Sequence, residues 1–105
     1  MSNKLYALYN GPSGRKSDIE LFLQLEELGI LQPGKMYIVN KIVMGPSMTS
    51  IYLEGVSNLE NETTPVRFNS VAFDFYYKKN NKLEKHDIYN DTRYNRFINK
   101  NLNTL

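Results

Sequence analysis

The segment from Gly34 to Phe75 decides the fold: it reads Gly-Lys-Met-Tyr-Ile-Val at 34–39, Ile-Tyr-Leu-Glu-Gly-Val at 51–56 and Val-Ala-Phe-Asp-Phe at 71–75. Apolar residues alternate within these runs, and Gly and Pro separate them, a pattern typical of antiparallel strands that bury one face. The alternation assigns five residues to the core: Tyr37, Ile51, Leu53, Val71 and Phe73. The sequence therefore predicts a bent antiparallel sheet of four or five strands.

A helix is predicted between the first strand, Leu5–Tyr9, and this segment. Ser17 and Glu20 match a capping box, in which their side chains satisfy amides at a helix start. Three leucines then share one helix face, at positions 21, 25 and 28. Apolar spacing also predicts a helical segment within 87–102, after a polar turn at 78–82. The predicted fold class is α+β, with one inserted amphipathic helix and a C-terminal helical segment.

Length and composition predict a single domain, 1–105, in which 41% of residues are hydrophobic and 23% are charged. The chain has no cysteine, which excludes disulfides and thiolate chemistry. With His86 as its one histidine, we expect no metal and no cofactor. We find neither a secretory signal nor an apolar run long enough for a membrane span, so we expect a cytoplasmic protein that contacts no membrane.

The net charge of +2 is unevenly distributed. From residue 76 onward seven Lys and Arg face three acidic residues, which gives +4 and leaves −2 for the first 75 residues. Aromatic residues lie among these cations, a composition that suits phosphates and stacked bases but also an ordinary solvated face. Both interpretations stay open. The candidate contacts are Tyr76, Tyr77, Lys78, Lys79, Lys82, Arg93, Tyr94 and Arg96.

Two further segments are candidate binding sites. The turn at 11–17 resembles a phosphate-binding P-loop but lacks its spacing and the Gly before its Lys, so Arg15 and Lys16 form either a weak anion site or a plain turn before the helix. Glu60 and Glu62 lie in a polar loop at 57–65, where acidic side chains can imitate phosphates.

No catalytic constellation is evident. No nucleophile elbow surrounds any serine, and His86 lies in the charged run Lys-Glu-Lys-His-Asp. Asp74 is a single carboxylate on a predicted strand, without a second acid beside it. The sequence therefore predicts a protein that is not an enzyme.

Three motifs resemble small, largely uncharacterised SH3-like β-barrel proteins of phages, prophages and low-GC Gram-positive bacteria. They are Gly34-Lys-x-Tyr-x-Val39, Ser47-Met-Thr-Ser-Ile-Tyr-Leu-Glu-Gly-Val56 and Phe68-Asn-Ser-Val-x-Phe73. The resemblance implies an SH3-like barrel in the central part of the chain. It supplies no catalytic residues, and it implies a small accessory protein of a mobile element or its host.

Two functions follow from these observations. The first is a phage or prophage protein that binds and inhibits a host defence complex, for example a CRISPR effector. The second is a nucleic-acid-binding accessory domain that uses the basic, aromatic-rich C-terminal segment. The expected partners are a host protein or nucleoprotein complex, with DNA or RNA as the alternative, and the expected oligomeric state is a monomer or small homo-oligomer.

Overall fold

Six antiparallel strands form one sheet in the computed structural model, which describes residues 4–57 and 65–94. Two short 3-10 turns, at Ser70–Ala72 and Ile88–Asn90, follow the fourth and sixth strands. The strand order is β4-β3-β2-β1-β5-β6, so the first strand lies at the centre of the sheet. In chain order the elements are β1 (Leu5–Tyr9), α1 (Lys16–Glu27), β2 (Met36–Met44), β3 (Thr49–Ser57), β4 (Pro65–Asn69), β5 (Phe73–Lys79) and β6 (Lys82–His86).

The sheet curls around the face that α1 covers, here called the inner face. A β-bulge between Val39 and Lys41 marks where β2 leaves β1 and continues along β3. Phe68 of β4 and Phe73 of β5 lie with ring centroids 6.0 Å apart, although three strands separate them in the sheet order. Phe22 of α1 stacks on Phe68 at 5.7 Å. The helix therefore fills the hollow of a curled sheet, and the opposite, outer face is convex.

The buried core confirms most of the predicted inner face. Tyr37, Ile51, Leu53 and Phe73 are all buried. Val71 is the exception, with 57% of its surface exposed. Asn69 caps the 3-10 turn by accepting the Val71 N–H, and this turn interrupts the alternation between β4 and β5. The assignment of Val71 to the core was therefore wrong.

The predicted fold class was also wrong. The sheet has six strands rather than four or five, and the described chain is mainly β rather than α+β. The predicted C-terminal helical segment begins instead as a 3-10 turn capped by Asp87, and a turn continues to Tyr94. Residues 95–105 lie outside the described residues. An SH3-like barrel is not confirmed, because the described strands form one curled sheet with β4 and β6 at its two edges.

The predicted turn at 78–82 is mostly strand. β5 extends to Lys79 and β6 begins at Lys82, so that only Asn80 and Asn81 form the turn between them. Both asparagines have positive φ, at 49° and 65°. Two-residue hairpin turns favour this conformation, and Asn tolerates it better than most residues.

A substitution at this turn tests its geometry. Asn81→Val is expected to lower the free energy of unfolding by about 1–2 kcal/mol, because a β-branched residue is strained at positive φ. Asn81→Gly removes that strain and is expected to leave stability equal or higher. Urea unfolding of the two variants measures the difference, and equal midpoints would contradict a left-handed conformation at this position.

The start of α1 differs from the predicted capping box. Arg15 is the N-cap, and its backbone N–H donates to Asp18 Oδ2 at 2.9 Å. The same oxygen accepts a hydrogen bond from Asn69 Nδ2 at 3.0 Å, which joins the helix to the end of β4. Gly14 is required beside them, because its φ is +110° and a Cβ there would lie 2.8 Å from Asp18 Oδ2. Asp18, and not Ser17 with Glu20, therefore determines where the helix begins.

Within the part of the chain that the structure describes, no helix has the length and apolar character that a membrane span needs.

Candidate binding surfaces

The structure separates the residues that were predicted to bind together. Tyr77, Arg93 and Tyr94 meet in one cluster beside the β5–β6 hairpin. Lys79 pairs with Lys82 at the tip of that hairpin. Tyr76 and Lys78 alternate with Tyr77 and Lys79 along β5, so they lie on the outer face. Arg15 and Lys16 are exposed at the start of α1, and Glu60, Glu62 and Arg96 lie outside the described residues.

The cluster around Tyr77 satisfies its own polar groups. The hydroxyls of Tyr77 and Tyr94 are hydrogen-bonded at 2.5 Å, and Arg93 Nη2 donates to the Tyr77 hydroxyl at 2.9 Å. The Arg93 guanidinium also lies over both rings, 5.3 and 5.4 Å from their centroids. Burial, together with the bond to Tyr94, raises the pKa of Tyr77 well above its usual value. Arg93 is therefore held by the protein itself.

Asp91 is the central acceptor of this cluster. Its Oδ2 accepts from Arg93 Nη2 at 2.6 Å and is hydrogen-bonded to His86 Nε2 at 2.8 Å. The hydrogen bonds from Arg93 hold the pKa of the Asp91 carboxyl well below its usual range, against the opposing effect of its burial. His86 and Asp91 were not predicted to interact, because no sequence pattern shows that this turn folds back onto β6. The cluster stabilises the chain after β6 rather than presenting open cations.

The outer face carries tyrosines that sequence reasoning did not group. Tyr6 of β1 pairs directly with Tyr76 of β5, and Tyr76 pairs with Lys85 of β6. On the other side Tyr6 pairs with Ile38 of β2. All three apolar side chains of this row are partly exposed, at intermediate burial. Strand alternation alone places Tyr6 on the other face of β1 from Leu5 and Ala7. Only the pairing of β1 with β5 places it next to Tyr76.

A second row crosses the other half of the outer face. Lys41 of β2 pairs with Tyr52 of β3, and Tyr52 pairs with Arg67 of β4. Lys41 and Arg67 are exposed and Tyr52 is partly exposed. The outer face therefore combines basic and aromatic side chains on both sides of the β2 bulge.

The helix α1 as a whole has the opposite charge, −3, from four acids and Lys16. Glu20 and Glu27 are exposed, whereas Asp18 and Glu26 are partly buried and accept hydrogen bonds from within the protein. Ile19 and Leu23 are exposed on the helix, at 37% and 52%, and Leu28, immediately after it, is 57% exposed. Ile19 and Leu23 are four residues apart and so lie on one face of the helix. We call this exposed apolar and acidic side of the helix the α1 surface.

The predicted anion site at 11–17 lies beside a cavity of about 590 Å³. Its lining includes Arg15, Met48, Val71 and Tyr89. The amide of Arg15 already donates to Asp18, so the capping position holds a carboxylate of the chain itself. Among residues 4–57 and 65–94, no group of three or more acidic or His side chains is arranged to hold a metal ion.

Comparison with protein families gives a match that covers almost the whole chain. Residues 4–100 match the model of the family described as bacteriophage T4 protein Y07B. No curated protein gives a significant match to the chain, and no solved structure does so either.

Proposed function

Because the chain belongs to the family of bacteriophage T4 protein Y07B, we propose that it is a phage accessory protein that acts by binding and not by catalysis. The proposal agrees with its small size and with the exposed surfaces on both sides of its sheet. Its partner is a host protein or nucleoprotein complex, and the consequence of binding is inhibition of a host defence complex such as a CRISPR effector. Such a target places its action in the host cytoplasm.

The α1 surface is the observation that carries this proposal. Exposed apolar residues beside acidic residues suit a partner surface that is basic and partly apolar. Defence nucleases bind nucleic acid through such basic surfaces, because phosphate contacts dominate nucleic-acid affinity. An acidic helix that occupies this surface would exclude the nucleic acid. Leu23 and Glu27, one turn apart, are the proposed contacts on the helix.

Phage infection tests the proposal. A host that carries a CRISPR system directed at a tester phage is infected with and without expression of this chain. We expect the chain to restore plaque formation, and the double variant Leu23→Ser with Glu27→Lys to lose this effect. The reason is that the variant removes an apolar contact and reverses one charge at the proposed interface.

A matched double variant on β6 provides the control. Leu83 is 51% exposed and Glu84 is exposed beside it, so Leu83→Ser with Glu84→Lys makes the same two changes far from α1. Both doubles are first shown to unfold at the wild-type temperature. Equal loss of protection by the two doubles would exclude the α1 surface. Failure of the wild-type chain to protect any phage, across hosts that each carry one defence system, would exclude inhibition.

A further inference from the structure

The outer face carries cations on four of its six strands and at the start of a fifth. Lys41 and Arg67 lie on β2 and β4, and Lys78 and Lys85 lie on β5 and β6, all with exposed side chains. Lys4 immediately precedes β1 and lines a cavity of about 310 Å³ together with Lys41. The cations therefore continue from one half of the sheet to the other rather than forming separate patches.

Acidic residues on the outer face are fewer than the cations, and one of them lies beside a lysine. Strand alternation places two there, Glu54 and Asp74, against the five cations. Asp74 Oδ1 lies 3.8 Å from Lys85 Nζ, and its Oδ2 accepts a hydrogen bond from Asn10 at 3.1 Å. The net charge of the face is thus about +3, while α1 on the opposite side of the sheet carries −3. This separation of charge orients the molecule toward a polyanion on its convex side.

Tyrosines occupy the middle of this basic face. Tyr6 and Tyr76 are direct cross-strand neighbours, and Tyr52 lies between Lys41 and Arg67. Their rings are only partly buried, and they lie on the side of the sheet away from the core. Aromatic rings among cations on an open sheet are the arrangement on which unpaired bases stack while phosphates contact Lys and Arg.

We propose that the outer face binds single-stranded nucleic acid, with Tyr6 and Tyr76 stacking on bases and Lys41 and Lys78 contacting phosphates. A duplex fits less well, because its bases are already stacked and a convex sheet does not enter a groove. An acidic protein fits less well, because its carboxylates would contact the cations but not the exposed rings beside them. The proposal is independent of the α1 surface, and of the predicted C-terminal contacts it keeps Tyr76 and Lys78.

Fluorescence anisotropy of the purified chain tests the proposal. The probes are labelled oligothymidylate and oligouridylate of about 20 nucleotides, longer than the roughly 4–16 nucleotides contacted by one small stacking domain. We expect binding at about 0.05 M salt that weakens steeply at about 0.2 M. Tyr76→Leu is expected to weaken binding roughly 5- to 160-fold, the range that corresponds to the loss of one base–aromatic stack. Comparison of the two probes shows whether the strand is DNA or RNA.

Two double variants distinguish phosphate contacts on the outer face from a general effect of positive charge. Lys78 and Lys79 are neighbours on β5 that alternate between the faces, and Lys82 shares the face of Lys79. Lys41→Gln with Lys78→Gln is expected to reduce the slope of log affinity against log salt by about 1.4, because each lost phosphate contact accounts for about 0.7. Lys79→Gln with Lys82→Gln removes the same charge and is expected to leave the slope unchanged.

Several results would overturn the proposal. One is the absence of binding by the folded wild-type chain at about 0.05 M salt, where electrostatic contacts are strongest. Another is equal weakening by the two lysine doubles. A third is binding that duplex DNA or polyglutamate displaces as readily as unlabelled single strands do, since this would indicate a surface for any polyanion or for acidic proteins. All variants are compared only after circular dichroism shows the wild-type spectrum.

Discussion

Replacing Phe22 by alanine is expected to lower the free energy of unfolding by about 3–5 kcal/mol. Phe22 is 1% exposed, and through it α1 contacts strands in both halves of the curled sheet. Its ring lies 5.4 Å from Tyr9 on β1, 5.7 Å from Phe68 on β4 and 6.1 Å from Phe73 on β5. Because these partners belong to three different strands, they cannot close together over the space that the ring leaves. The space therefore persists as a cavity, whose cost adds to the lost burial of the ring.

The control for this prediction is the adjacent residue. Leu23 is 52% exposed on the same helix, and Leu23→Ala is expected to change stability by no more than about 0.5 kcal/mol. Thermal or urea unfolding followed by circular dichroism measures both variants. Similar losses for Phe22→Ala and Leu23→Ala would mean that α1 does not pack on the sheet through Phe22. A stable Leu23→Ala protein would also show that exposed residues of α1 are not retained for folding.

Hydrophobic periodicity predicted the elements whose two sides differ in burial. The buried and partly exposed positions of β1 alternate strictly, and Leu25 of the predicted helix face is buried beside Phe22, although Leu28 of that predicted face is 57% exposed. β6 shows no such contrast, since Lys82 to Lys85 are all exposed at the edge of the sheet. Backbone pairing with β5 and the Asn80–Asn81 turn form this strand, and neither leaves an apolar pattern. Periodicity therefore finds strands that contribute to a core and misses an edge strand that does not.

Composition also grouped candidate contacts that the structure places on different faces of the sheet. Tyr76 and Tyr77 are adjacent in the sequence and were grouped by composition, but consecutive strand residues point to opposite faces. Tyr77 joins Arg93 in an internal cluster, whereas Tyr76 meets Tyr6 from a strand 70 positions earlier. Composition alone does not specify which strands are neighbours. The pairing of β1 with β5 supplies this information, and it is the step that brings the outer tyrosines together.

Asp91→Asn is expected to lower the free energy of unfolding at pH 7 by about 2 kcal/mol, the magnitude typical of hydrogen bonds that involve a charged group. The side chain of Asp91 is 9% exposed, and its carboxylate receives hydrogen bonds from the Arg93 side chain and from the Arg93 backbone N–H. Asparagine has the shape of aspartate but not its charge. Its amide nitrogen is a donor, so it would face the donors of Arg93 where an acceptor is needed. The matched control is Asp74→Asn, since Asp74 is 40% exposed and 3.8 Å from Lys85. This exposed pair is expected to contribute no more than about 1 kcal/mol.

The stabilisation by Asp91 is expected to depend on pH. The pKa of Asp91 is lowered in the folded protein, chiefly by the side-chain hydrogen bonds from Arg93, whereas the unfolded chain has the ordinary aspartate value of about 3.9. The unfolded state therefore binds the proton first as the pH falls, so the stabilisation is complete above about pH 5 and declines steadily below about pH 4. The asparagine variant has no carboxyl to titrate, so the stability difference between it and the wild type is expected to shrink as the pH falls toward about 2. Urea unfolding of both proteins across this pH range measures that difference. A constant difference would mean that Asp91 is not held as a carboxylate by Arg93 and His86.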